Sequence, residues 1–196
     1  LNDIKSSIRV DNVHFPKTTA ITLENTHNLC NGSPIPLKYI EDVSNIICTN
    51  NIKMHIDGAR IFNAAVALDV KVKELVQYAD SVTFCLSKGL AAPVGSIICG
   101  NEEFIYYARR NRKALGGGMR QAGIIAAAGI VSLNNMINQI LFKKLLLNRY
   151  KIDKHINISI LDYIFQIKNQ LKIFASWYLF SRDKKYFIPF HPRGSP

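Results

Sequence analysis

Acid is scarce in this chain. Asp and Glu number 14 against 25 Lys and Arg, a formal charge of +11 at pH 7. Such an excess would ordinarily point to nucleic acid or an anionic surface, but it is unevenly spread. Up to Met136 there are 14 basic and 11 acidic residues, and after it 11 and 3. The excess belongs to the tail. A charge run without a motif reads as solvated surface, so no specific nucleic-acid partner is expected.

The four cysteines, Cys30, Cys48, Cys85 and Cys99, form no C-x-x-C pair. Nor are they spaced with the histidines as zinc ligands, which excludes the common structural metal frameworks. Two of them lie in apolar, strand-like runs and are expected to be small buried hydrophobes. A reduced, cytosolic setting is favoured. No apolar run of the roughly 18 residues that a membrane span needs stands out, and the N-terminus has no basic-then-apolar leader pattern, so no membrane partner is expected. No internal repeat is present. The chain opens on Leu1 rather than methionine, which suggests a fragment.

What is present suffices for one sizeable core, with 48% of 196 residues hydrophobic. "AITLEN" (20–25), "KMHID" (53–57), "SVTFCL" (81–86) and "GSIICG" (95–100) read as short strands. Helical patterns separate or follow them: "LKYIEDVSNII", "RIFNAAVAL", "VKELVQYA", "EEFIYYARRNRK" and the small-residue-rich "GMRQAGIIAAAGIVSLNNM". Strands alternating with helices predict an α/β sheet covered by helices. Beyond Met136 the character changes to Ile, Lys, Asn, Leu, Phe and Tyr, with no glycine before Gly194. Residues 137–196 are therefore set apart from residues 1–136 as a basic extension. It reads either as one or two amphipathic helices or as a segment never selected to pack, such as a misread or aberrantly spliced end.

Chemistry concentrates where strands end. Asp57 and Lys88 each follow a predicted strand, and ligands of α/β sheets gather outside the carboxyl ends of strands. A desolvated lysine among Ser87 and Gly89 suits Schiff-base chemistry. A pyridoxal phosphate enzyme needs such a lysine and a partner for its pyridine nitrogen. By spacing alone each residue also has a plain reading, Asp57 as a helix cap and Lys88 as a solvated cation. "RRNRK" alone reads as a solvated helix face, and Gly116-Gly117-Gly118 as a flexible turn. His55, inside a predicted strand, is most simply a core or interface histidine.

The blocks "VDNVHF", "ITLENTHN", "MHIDGARIFNAAVAL", "SVTFCLSKGLAAPVGSIICG" and "RRNRKALGGGMRQAGIIAAAG" together resemble the low-specificity L-threonine aldolase family, from about Ile8 to Met136. That resemblance implies the large domain of the pyridoxal-phosphate-dependent, fold type I architecture, a three-layer α/β sandwich, here with an incomplete sheet. It also implies pyridoxal 5'-phosphate as cofactor and an amino-acid substrate, with a homotetramer whose active sites are shared between subunits. The activity implied is retro-aldol cleavage of L-threonine or L-allo-threonine to glycine and acetaldehyde.

On matching positions, Lys88 is implied to carry the cofactor and Asp57 to pair with the pyridine nitrogen. Arg60 is implied to hold the substrate carboxylate, and Arg120 and Lys113 to reach the cofactor phosphate. His14 is implied to lie near the substrate hydroxyl, and His27 to position its loop. The family's N-terminal region before Ile8 and its smaller C-terminal domain have no match here, so weak activity of the isolated chain is expected. The competing expectations are a non-catalytic piece that associates with intact subunits, and another reaction on the same cofactor such as β-elimination or transamination.

Overall fold

A computed structural model describes residues 1–149 of the chain, with side chains described to residue 141. It begins with a short helix, α1 (Asn2–Ser7), which sequence periodicity did not reveal because it buries no residue. Strand β1 (Ala20–Glu24) follows, then α2 (Leu37–Cys48), β2 (Lys53–Asp57), α3 (Ile61–Leu68), α4 (Val72–Val76), β3 (Ser81–Cys85), β4 (Ser96–Gly100), α5 (Glu102–Ala114) and α6 (Gly123–Arg149). The four expected strands and the main expected helices are all present.

The sheet has the order β1-β2-β3-β4. The first three strands are parallel and β4 runs antiparallel to β3, pairing Cys85 with Ser96 and Ser81 with Gly100. Parallel neighbours need helical crossovers, and α2, α3 and α4 provide them. β4 needs none, because the turn from Leu86 to Gly95 reverses the chain directly, with the Leu86 amide donating to the Gly95 carbonyl at 2.9 Å.

Alternation along the strands divides the sheet into two unlike faces. Met54, Ile56 and Val82 point into a core completed by Ile40, Val43 and Ile47 of α2, Ile61, Ala64 and Ala65 of α3, and Leu75 of α4. The α2 residues recur at helical spacing, which is why one stripe of that helix lies on the sheet. Burying each such Ile or Met side chain contributes about 1.5–3 kcal/mol. The other face carries Thr22, Glu24, His55, Asp57, Ser81, Thr83, Cys85, Ser96 and Ile98. Of these Thr22, Glu24, Ser96 and Ile98 are exposed.

A second apolar cluster joins Leu86, Leu90, Ala91 and Ala92, in the turn after β3, to Met136 and Ile140 of α6. The small residues of α6 make this close approach possible, as its composition suggests: a side chain on Gly129 would stand 2.9 Å from Leu86 Cδ1. Three sequence expectations need correction. Cys99 is exposed, because every residue of the edge strand β4 is, and Cys85 is half-buried. The helix predicted from Gly118 begins only at Gly123, after Gln121 adopts a positive φ of 50°. Finally, Gly123–Leu141 is a 19-residue helical stretch with mean hydropathy 1.5, long and apolar enough to cross a membrane by length and composition. The uncharged Ser, Asn and Gln that interrupt it hid this in a search for unbroken apolar runs. α6 also continues past position 136 without a break. Of the extension set apart in the sequence, residues 150–196 lie outside the described residues.

Candidate active site

The carboxyl ends of β2 and β3 are held in one edge by a continuous set of backbone hydrogen bonds. Asp57 is the last residue of β2 and stands in register with Glu24 on one side and Thr83 on the other. Beyond the strand, the Gly58 amide donates to the Thr83 carbonyl at 2.8 Å, and the Cys85 amide donates to the Ala59 carbonyl at 3.3 Å. The D-G-A turn therefore extends the ladder. A side chain on Gly58 would press to 2.9 Å from Ile61 Cβ and 3.2 Å from the Thr83 oxygen, so only glycine lets the two strands close here.

Asp57 is half-buried, and its Oδ1 accepts from the Ala59 amide at 3.2 Å. Oδ2 accepts no hydrogen bond among the described residues, and Asp57 has no ion pair there. Lys88 is also half-buried, three residues past the end of the adjacent strand, within the turn Leu86–Leu90. Its carbonyl accepts from the Ala91 amide at 2.8 Å, and the Leu86 carbonyl accepts from the Ala92 amide at 2.9 Å, with Leu90, Ala91 and Ala92 buried beneath. The Lys88 ammonium has no ion pair among the described residues. A carboxylate with a spare oxygen and an unpaired lysine at one sheet edge fit a pyridoxal-phosphate group, which calls for a hydrogen-bond acceptor and a primary amine.

Arg60 immediately precedes α3, half-buried, with its carbonyl accepting from Ala64 at 3.1 Å. It is thus on the same turn as Asp57. Two asparagines, the buried Asn25 and the half-buried Asn63, also lie near this edge and escaped the sequence reading as site residues. The Asn25 backbone N–H donates to the Asp57 carbonyl at 2.9 Å and the Asn25 Oδ1 accepts from the Ile35 amide, yet Nδ2 is buried with no partner among the described residues. Asn63 Oδ1 is likewise buried and unpaired among the described residues, beside Gly89. An orphaned group of this kind costs about 1–3 kcal/mol and is uncommon in folded proteins. The only signal in the sequence was the Asn within "ENTHN"; Asn63 sits in an apolar helix and gave none.

Other expected residues are placed less directly. His14 is exposed, in an irregular segment before β1, where its backbone amide donates to Asn12 Oδ1 at 2.9 Å. No hydrogen bond or ion pair among the described residues joins it to Asp57 or Lys88. His27 takes the loop-positioning part: Nδ1 accepts from the Leu29 amide at 3.1 Å and Nε2 lies 3.2 Å from Glu24. His55, expected as a core or interface histidine, is half-buried within β2. Nδ1 is 2.8 Å from Ser81 Oγ and Nε2 is 3.3 Å from Thr83 Oγ1, so one imidazole ties β2 to β3 on the face that carries Asp57.

Lys113 and the glycine run do come together. Gly116 adopts φ 81°, its amide donates to Lys113 O at 3.1 Å, and the Gly117 amide donates to Arg112 O at 2.8 Å. This is a Schellman closure of α5, not a flexible turn. It folds Gly118 back until a side chain there would lie 2.6 Å from Lys113 Cδ. Arg120 follows in the exposed segment before α6. Among the described residues neither cation contacts Asp57 or Lys88 by a hydrogen bond or ion pair.

Parallel strands that deliver a carboxylate and a lysine to one edge, closed by an antiparallel fourth strand, have the large-domain architecture of fold type I pyridoxal-phosphate proteins. A threonine aldolase of Leishmania major shares this fold, with a TM-score of 0.58 and 19% identity over 69% of this chain and 40% of that one. The chain belongs to the beta-eliminating lyase family, whose model matches residues 1–145. It is 48% identical over 137 residues to the low specificity L-threonine aldolase of Escherichia coli K12, covering 70% of this chain and 40% of that protein. It is 50% identical over 135 residues to low-specificity L-threonine aldolase 1 of Arabidopsis thaliana, covering 68% and 38%. The chain thus spans about 40% of the length of the curated relatives it matches.

Proposed function

We propose that this chain supplies the lysine-bearing part of a threonine aldolase active site, cleaving L-threonine or L-allo-threonine to glycine and acetaldehyde. The observation that carries the reading is the delivery of Asp57 and Lys88 to one carboxyl edge by adjacent parallel strands, in a sequence about half identical to low-specificity L-threonine aldolases. Pyridoxal 5'-phosphate would be held by Lys88 and by Asp57 at its pyridine nitrogen, with Lys113 and Arg120 as cations for its phosphate. When bound, that group accepts the electron pair left on Cα as the Cα–Cβ bond breaks.

The chain's own residues do the rest. Arg60, fixed at the start of α3, holds the substrate carboxylate through two parallel N–H donors, and this orients the breaking bond. Asp57 would keep a proton on the ring nitrogen of that group, and Lys88 would supply the primary amine that holds it. His14, assigned to the substrate hydroxyl by family resemblance, stands exposed in the segment before β1. The exposed Ile97, Ile98, Tyr106 and Tyr107 of β4 and α5 favour association with further protein surface, in keeping with a homo-oligomer.

The test is to mix the chain with pyridoxal 5'-phosphate, reduce with borohydride, map the modified lysine, and assay glycine and acetaldehyde from threonine. Labelling at Lys88 that is lost in Lys88→Ala, with both products formed, supports the reading. Labelling spread over surface lysines, or turnover of serine or tryptophan but not threonine, sinks it.

A further inference from the structure

We propose that Asn63 is a positioning residue for Lys88, acting through the space above Gly89. The inference rests on the reading of Lys88 as the cofactor lysine. Asn63 stands on α3 between Ile61 and the Ala64–Ala65 pair, all three of which are buried in the main core, so its backbone is anchored to the sheet. Its Oδ1 is buried with no hydrogen-bond partner among the described residues. It is instead turned onto Gly89. A side chain at Gly89 would overlap Asn63 Oδ1 and stand 2.9 Å from Cγ and 3.1 Å from Nδ2.

Gly89 does not adopt a left-handed φ, unlike Gly32, Gly95 and Gly116. Glycine is therefore required here for room and not for backbone conformation. The flanks of the turn are already fixed by the Ala91-to-Lys88 and Ala92-to-Leu86 backbone bonds. Phe62 and Val66 of α3 pack against the cluster that holds Leu86 and Leu90, and at Gly89 it is the Asn63 amide that sets how closely the Lys88 backbone lies on α3. Since the Asp57 turn leads directly into α3, Asn63 fixes Lys88 relative to Asp57. A polar amide at this contact, with its carbonyl left unpaired, has no gain in packing over an apolar side chain, which is why its part is assigned to placement.

The test is a double-substitution cycle read on the full chain with pyridoxal 5'-phosphate as probe. Lys88 modification after borohydride reduction is measured by peptide mass spectrometry across pH 6 to 9, beside the thermal unfolding midpoint. Gly89→Ala is expected to cut Lys88 modification about tenfold or more, since small misplacements of a reacting group have effects of that order. Asn63→Ala combined with Gly89→Ala is expected to restore it to within about threefold of Asn63→Ala alone, as coupled neighbours require. Equal modification in Gly89→Ala and the unsubstituted chain, or no recovery in the double variant, overturns the proposal. If the unsubstituted chain is not modified at Lys88, the aldolase reading fails on its own; the same cycle in unfolding midpoints then decides whether Asn63 and Gly89 are sterically coupled at all.

Discussion

The Gly58 amide donates to the Thr83 carbonyl at 2.8 Å, and this bond decides where Asp57 and Lys88 stand relative to one another. It prolongs the β2–β3 ladder past the last strand residue, so the carboxylate and the turn that bears the lysine leave the sheet together. A methyl group at position 58 meets Ile61 Cβ at 2.9 Å and the Thr83 oxygen at 3.2 Å. Overpacking against backbone and an anchored helix costs about 1–3 kcal/mol. Gly58→Ala is thus expected to lower the urea midpoint and to reduce Lys88 modification. Unchanged values for both would mean that the turn has slack the geometry does not show.

His55 links β2 to β3 on the same face through Ser81 and Thr83. Replacing it with leucine removes both partners at once, and Ser81 is buried. Each lost hydrogen bond is worth about 1 kcal/mol, more where a buried hydroxyl is stranded. His55→Leu is expected to destabilise by about 1–3 kcal/mol. A triple change, His55→Leu with Ser81→Ala and Thr83→Val, should recover part of this, because no polar atom is then left unpaired. Failure of the triple variant to recover any stability would show that the imidazole acts by packing instead.

The turn that closes α5 has its own requirement. Gly116 lies at φ 81° with open space around a would-be side chain, so the cost of a substitution there is conformational and not steric. Gly116→Ala is expected to destabilise by about 1 kcal/mol, and Gly116→Asn by less, since asparagine tolerates the left-handed region better. Circular-dichroism melts of the two variants check the order. The reverse order would mean that the Schellman closure is not what holds Lys113 against Gly118.

Most of the framework was legible in the sequence for a physical reason. Val82 and Leu86, and Met54 and Ile56, sit in short apolar runs bounded by turn residues, and such runs have few other ways to bury their faces. The positions of Asp57 and Lys88 followed from the same runs, because Asp57 closes β2 and Lys88 lies three residues past the end of β3. Direction was not legible: β4 pairs antiparallel by way of a turn whose course depends on Leu86 meeting Gly95 and Gly129 in space. Exposure was not legible either, since Cys99 has a strand-like neighbourhood but lies on an edge. Asn25 and Asn63 escaped because a buried amide atom leaves no periodic trace, and the approach of Gly118 to Lys113 escaped because three glycines read as slack until their hydrogen bonds are seen.

The last expectation concerns acid. Asp80 receives the Met54 amide on Oδ2 at 2.9 Å and the Lys53 ammonium on Oδ1 at 2.9 Å, clasping the start of β2 to the residue before β3. Partial burial alone would push this carboxyl up, but the Met54 amide and the hydrogen bond and charge of Lys53 outweigh it and hold its pKa below the ordinary value of 3.8. A carboxyl depressed on folding contributes stability that is present above its unfolded pKa and lost as pH falls through the folded one. The side chain is 42% exposed, so solvent screens the pair and the contribution is modest, about 1 kcal/mol. Asp80→Ala should therefore cost that much at pH 7, and the gap to the unsubstituted chain should narrow from about pH 4 downward. Urea unfolding at pH 7, 4 and 2.5 measures it. A gap that stays constant over this range would show that the clasp works through packing and backbone geometry, with the carboxylate charge contributing nothing.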